Sequence, residues 1–315
     1  MSEALSKENR AELDAVLEQL QQLPPALQQK LIAKLPKDEQ ETILEVLDEL
    51  NVRNLRTKAS DDFMVYVNQM WPNFIHGRHH EKMARAFERV ARGECKRLII
   101  NMPPRHTKSE FASYLLPSWF FGKFPHKKII QTSHTAELAV GFGRKVRNLV
   151  DSPNYKSIFP ALDLQSDSKA AGRWNTNFGG EYFAIGIGGA VTGKGADLLI
   201  IDDPHSEQEA TLAETNPEIY DKTYEWYTSG PRQRLQPGGA IVIVMTRWSK
   251  RDLTAQVIKS AAQRGGEEWE VIEFPALLPS GNPLWPEFWS AKELYALKEE
   301  LPNGKWQAQY MQQPT

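Results

Sequence analysis

Apolar residues in the first fifty positions recur every three or four places. Leu13, Val16, Leu17 and Leu20 fall on one face at helical spacing, Leu27, Leu31 and Leu35 form a second set, and Ile43, Leu47 and Leu50 a third. "LPP" at 23–25 and "LPKD" at 35–38 separate the sets, since proline favours the first turn of a new helix. From residue 60 the pattern changes. "RLIINM" (97–102), "KKIIQTS" (127–133), "EYFAIGI" (181–187), "DLLIID" (197–202), "AIVIVMT" (240–246) and "EVIEF" (270–274) predict strands. Residues 98–101, 198–201 and 241–244 are continuously apolar, as in strands buried on both faces of a mostly parallel sheet. The helical patterns "KSEFASYLLPSWFFG" and "HTAELAVGFGRKVRNLVDS" alternate with the strands, which predicts an open α/β sheet with helices on both faces. The expected organisation is an N-terminal helical region at 1–58, an α/β core at 59–260 and a small C-terminal lid or linker at 261–315. Residues 1–58 suit either a bundle packed on the core or a docking arm for a partner protein.

Composition narrows the class. The 315 residues include a single cysteine, Cys95, which excludes an intrachain disulfide and a CxxC metal site and fits a reducing compartment. The start of the chain lacks the basic, then apolar, pattern of a signal peptide, and no run of 18 apolar residues suits a membrane span. A cytosolic protein without a membrane partner is expected. Residues 1–50 hold 5 Lys/Arg against 11 Asp/Glu, net −6, leaving 33 against 29, net +4, for the rest. Contact with DNA therefore requires a local basic patch or several subunits; Arg232, Arg234, Lys250 and Arg251 are candidates from their loop positions.

Two segments compete as a phosphate loop. "GGAVTGKG" matches Gly188-x-x-x-x-Gly193-Lys194, but Gly195 follows where a hydroxyl should bind Mg²⁺, and the segment leads into a strand. "NMPPRHTKSE" (101–110) follows an apolar strand and opens a helix. Met102 and Thr107 stand in its two glycine positions, Lys108 would reach the β- and γ-phosphates, and Ser109 would bind Mg²⁺. The phosphate donors of such a loop are backbone N–H groups at a helix start. Glycine is needed only where φ is positive or a side chain would clash. Pro104, Arg105, His106, Thr107, Lys108 and Ser109 are thus the candidate ATP-binding segment, with Pro103 stiffening the approach.

"DLLIIDDPHS" ends an apolar strand in two acids about 90 residues after the lysine. Asp202 would hold Mg²⁺ through water and Asp203 would polarise the attacking water; the alternative is a pair of turn-capping residues. Thr246 and Arg247 emerge at the end of another buried strand, where a γ-phosphate sensor would sit. In "WPNFIHGRHHEKMARAF" (71–87), Phe74, His79 and His80 are candidates to contact adenine.

These motifs, in this order, resemble the large terminase subunit of tailed bacteriophages, the motor that packages DNA into capsids. "PPRHTKS" resembles the family's divergent Walker A, "LLIIDDP" its Walker B and "MTRW" its coupling motif. "TSHTAELAVGFGRKVR", "GGAVTGKGADLL" and "WQAQYMQQP" resemble its intervening and closing segments. The resemblance runs from about residue 60 to 314 and leaves residues 1–50 uncovered. It implies a P-loop NTPase fold of the RecA-like (ASCE) class, ATP hydrolysis with Mg²⁺, and translocation of double-stranded DNA into a procapsid. Implied partners are the portal protein, the small terminase subunit and further copies in a ring. Three positions depart from the family pattern. Thr107 replaces a glycine, Asp203 stands where Glu is usual, and Lys194 stands where relatives often carry an Arg that reaches a neighbour's nucleotide. Arg105 is the alternative charge stabiliser. No nuclease activity is expected, because the sequence ends where that half would begin. A helicase-like motor and a nucleotide-binding assembly protein without turnover are the competing functions.

Overall fold

The computed structural model describes residues 17, 19, 20 and 22–315; Leu13 and Val16 lie outside the described residues. The chain divides into two packing units, Met1–Lys58 and Ala59–Thr315. The first includes helix α1 (Pro25–Ile32), with Pro25 in its first turn, and most of α2 (Lys37–Asp61). Leu17, Leu20, Ile32, Ile43 and Leu47 form its core, flanked by Leu35 and Leu50. The expected inward face of α1 needs correcting. Leu27 and Leu31 are exposed, and Ile32 is buried in their place. Neighbours on a helix point about 100° apart, so a short helix on a small core buries Leu31 or Ile32, not both.

The second unit continues with α3 (Phe63–Met70), α4 (Arg78–Ala91), β1 (Arg97–Asn101) and a π-helical turn, Glu110–Leu115, that runs into α5 (Leu116–Lys123). There follow β2 (Lys128–Ser133), α6 (Ala136–Val150), α7 (Pro153–Ile158), β3 (Leu164–Ala170), β4 (Arg173–Thr176), β5 (Glu181–Gly186) and β6 (Ala196–Asp202). The chain then forms α8 (Glu207–Ala213), α9 (Glu218–Ser229), β7 (Leu235–Met245), α10 (Leu253–Arg264), β8 (Glu270–Glu273) and α11 (Ala291–Glu300).

The strands make one sheet in the order β3-β4-β5-β2-β6-β7-β1-β8. From β5 to β8 all pairings are parallel. All six expected strands are present. The antiparallel edge pair β3–β4 escaped the pattern because β3, "LQSDSKA", is polar and largely solvent-facing. The central strands show why continuous apolar runs mark them. Leu98, Ile100, Leu198, Ile200, Val242 and Val244 enter the core on one face. Ile99, Leu199, Ile201, Ile241, Ile243 and Met245 enter the core on the other. Residues beyond 260 are integral to this unit, since β8 pairs with β1 and Leu284 joins the larger core.

β7 lies between β1 and β6, so three carboxyl ends converge. Asn101 is in register with Met245, and Asp202 with Val244. In an open parallel sheet, ligands bind beyond those ends, where the loops leave to opposite faces.

Candidate active site

The loop after β1 begins as a continuation of the sheet. The Met102 amide donates to the Met245 carbonyl at 3.1 Å, and the Thr246 hydroxyl donates to the Met102 carbonyl at 3.1 Å. The chain then turns through Arg105 (φ 59°) and Thr107 (φ 71°). Both are in the left-handed region, where a β-branched residue such as threonine is rare. The first bond of the following turn runs from the Phe111 amide to the Thr107 carbonyl, so the preceding amides stand at the open end of the turn. After Lys108 and Ser109 the helix continues as the π-helical turn Glu110–Leu115. Within it Ser113 joins Ser109 on the side facing β6.

Asp202, at the end of β6, is fully buried and accepts from the Ser109 hydroxyl at 2.9 Å and the Ser113 hydroxyl at 2.7 Å. Gln131 on β2 donates to Ser113 Oγ at 2.8 Å and so orients that hydroxyl. Burial and the neighbouring Asp203 charge push the Asp202 carboxyl up to about 7, against the pull of Lys108 and the two serines. Asp203 adopts φ 42° and turns out of the strand toward the loop. Its Oδ2 lies 2.9 Å from Lys108 Nζ, and its Oδ1 accepts from the Thr246 amide at 3.0 Å. Lys108, Ser109, Asp202, Asp203 and Thr246 are therefore assembled in one place by three strand ends.

Beside them lies a cavity of about 390 Å³, lined by Lys108, Ser109, Arg105 and Thr107 and walled by Trp71, Phe74, Trp285 and Phe288. Trp285 stacks on Phe288 with ring centroids 4.4 Å apart. The indole of Trp289 reaches the Arg105 carbonyl at 3.4 Å and stacks on His106, whose Nδ1 donates to the Pro104 carbonyl at 2.8 Å. Among the described residues no group of three or more His, Cys, Asp or Glu side chains could hold a metal by itself. Mg²⁺ fits the Ser109–Asp202 pair nonetheless, since it commonly takes one or two protein oxygens and completes its shell with phosphates and water.

Other expected residues stand elsewhere. Arg247 is buried, and its guanidinium donates to Asp252 at 2.9 Å, to Glu273 at 3.4 Å and to the Ser249 carbonyl at 3.3 Å. Those contacts tie it to the β8 side and the start of α10, away from the loop phosphates would occupy. Lys194 precedes β6 at its amino edge and pairs with Glu181 at 2.6 Å. Seven residues of strand, about 20 Å, separate it from Asp202, so it does not join the site within one chain. His80 is fully buried beneath the loop, and His79 is buried beside it; neither lines the aromatic cavity, whereas Phe74 does. The Gly188–Gly195 segment crosses from the end of β5 to the start of β6, with Trp226 donating to the Gly189 carbonyl. It takes no part in the site.

No protein-family model and no curated protein matches the chain. Among solved structures it is similar to the HK97 bacteriophage large terminase, at 11% identity and a TM-score of 0.49, over 76% of this chain and 51% of that one. It is similar to a mutant ATPase domain of a Thermus phage large terminase at 15% identity and a TM-score of 0.47, over 73% and 93%. A third similar structure is a large terminase from a thermophilic bacteriophage in complex with ADP, at 10% identity and a TM-score of 0.44, over 72% and 52%. The chain thus spans about half the length of the HK97 protein.

Sequence patterns did not point to Ser113, Gln131, Trp71, Trp285 or Phe288. The spacing of Ser109 and Ser113, four apart at a helix start, is the one local signal among them. The aromatic wall comes from two segments some 200 residues apart, which no local pattern connects.

Proposed function

We propose that Ala59–Thr315 is a Mg²⁺-dependent ATPase, the motor half of a phage large terminase that drives double-stranded DNA into a procapsid. The observation that carries the ATPase is the double pairing at the sheet's carboxyl edge: Ser109 with Asp202, and Lys108 with Asp203. A strand-to-helix loop ending in Lys-Ser, facing two acids across an intervening strand, suits phosphoryl transfer by positioning and charge. Bound Mg²⁺ would supply charge neutralisation across the β- and γ-phosphates. Ser109 and Asp202 would hold the ion, and Lys108 would turn from Asp203 toward the phosphates. Asp203, kept in place by the Thr246 amide, would then orient the attacking water. Arg105 is exposed on the loop and adds positive charge beside the phosphates. The aromatic cavity next to the loop offers the base a stacking seat.

The motor assignment rests on the order of motifs and on the terminase resemblance of residues 60–314. On that assignment the portal protein, a small terminase subunit and further copies in a ring are the partners. DNA phosphates would meet basic surfaces such as the groove between α9 and α10, lined by Lys250, Lys259 and Arg264, where Arg251 is paired with Asp221 at 2.6 Å. Lys194 would act on a neighbour's nucleotide only after leaving Glu181. Lys108→Ala tests the site. Phosphate release, assayed with and without duplex DNA, should be abolished while the circular dichroism spectrum is retained. Turnover persisting in the variant would refute the assignment of the loop.

A further inference from the structure

Thr107 holds φ 71° in a loop that contains no glycine. A backbone there is one that glycine adopts freely and a β-branched side chain resists. Something other than local preference must hold it; besides the Phe111 amide on its carbonyl, its side chain has a partner that can.

The imidazole of His80 lies under the loop. Its Nδ1 accepts from the Gly77 amide at 2.8 Å. An amide N–H can only donate, so Nδ1 is unprotonated and the ring proton sits on Nε2. Nε2 faces the Thr107 hydroxyl oxygen at 2.7 Å. With that oxygen accepting from His80, the Thr107 hydroxyl proton points onward to the His106 carbonyl. The relay runs one way, from the Gly77 amide through the ring and the hydroxyl to the peptide joining His106 and Thr107. The ring itself cannot shift easily. It stacks on Phe111 at 4.9 Å and meets Phe74 edge-on at 4.7 Å and Trp285 at 5.0 Å. Burial also keeps the imidazole neutral, which preserves the single-proton relay.

We propose that His80 is a positioning residue for the phosphate loop: its Nε2–H, presented from the first turn of α4, holds Thr107 in the left-handed conformation that glycine would adopt unaided. The proposal rests on the reading of residues 103–109 as the ATP phosphate loop. It replaces adenine contact as the role of His80, and it explains how a glycine-free loop keeps its shape.

The test is a mutant cycle read in the Michaelis constant for ATP and in the affinity for a fluorescent ATP analogue. His80→Ala should weaken nucleotide binding on the order of tenfold when Thr107 is present. In a T107G background the same substitution should cost no more than about twofold, because glycine needs no external support there. T107V keeps the branched side chain, removes the hydroxyl and should reproduce the loss seen in His80→Ala. Equal losses from His80→Ala in both backgrounds, or a T107V protein that binds ATP as wild type does, would overturn the proposal. Because His80→Ala opens a packed aromatic cluster and can impair folding, T107V carries the test alone if that variant is unstable. Hydrogen exchange of nucleotide-free protein gives a readout independent of ATP. Amides at 105–109 should exchange faster in T107V, and unchanged exchange would refute the relay. Failure of wild-type protein to bind or hydrolyse ATP would count against the ATPase reading, with the exchange result still deciding the role of His80.

Discussion

Asp203 carries two constraints that a turn-capping residue does not need together. Its backbone sits at φ 42°, and its two carboxylate oxygens are divided between the Lys108 ammonium and the Thr246 amide. Left-handed backbone at a non-glycine residue costs about 1–3 kcal/mol and persists only where surrounding contacts impose it. Here the Asp203 amide is held by the Val244 carbonyl, while its own carbonyl accepts from His134 at 3.2 Å. The same backbone turn aims the carboxylate at the loop. Asp203→Asn keeps the shape and an acceptor for Thr246 but removes the charge. It should lower the turnover rate by about 10²–10⁴-fold while changing nucleotide affinity far less. Parallel loss of binding and turnover would instead mark Asp203 as a structural cap.

At the scale of elements, β7 sets the spacing of the site. Placed between β1 and β6, it brings Thr246 between the loop and Asp203, within hydrogen-bond reach of both. The segment after β8 supplies the other half, since Trp285, Phe288 and Trp289 cover the loop. Phe288 is half-exposed, so truncating it removes a stacking surface with little loss of core packing. Phe288→Ala should raise the Michaelis constant for ATP about tenfold and leave the turnover rate near wild type. A fall in turnover rate at an unchanged Michaelis constant would show that the aromatic wall does not seat the base. The two halves of the site differ in how far the sequence reveals them. Lys108, Ser109, Asp202, Asp203 and Thr246 are legible because each ends an apolar strand or lies in the loop that leaves one, and the parallel sheet brings those strand ends together. Arg247 was legible as a strand-end residue, but its direction depends on Asp252, five residues on, which caps α10 and takes its guanidinium. Ser113 depends on a π-helical turn that changes the helical period locally. The aromatic wall depends on a tertiary contact across about 200 residues.

Across the whole molecule, four buried imidazoles make stability dependent on pH. Burial pushes His79 down to about 3, His80 to about 2, His106 to about 4 and His205 to about 4, all below the ordinary 6.5. As pH falls below about 6.5, the unfolded chain takes up protons that the folded chain refuses, so stability falls until the folded groups titrate. Each such histidine contributes up to about 1.4 kcal/mol per pH unit in that window, approached toward pH 5. Asp202 acts in the opposite sense, because a raised carboxyl pKa favours the folded state as pH drops below about 7; it is one group against four. Thermal melts should show the midpoint falling continuously between pH 6.5 and 5. A constant midpoint over that range would contradict the neutral, buried state of these rings.

Where a nucleotide binds decides the function of the sheet's carboxyl edge. The most direct measurement is a crystal structure of the protein with Mg²⁺ and a non-hydrolysable ATP analogue. The phosphates should lie against residues 103–109, the metal should contact Ser109 with Asp202 adjacent, and the base should rest between Phe74 and Phe288. A nucleotide bound elsewhere, for example at the glycine-rich segment 188–195, with residues 103–109 empty, would contradict this placement.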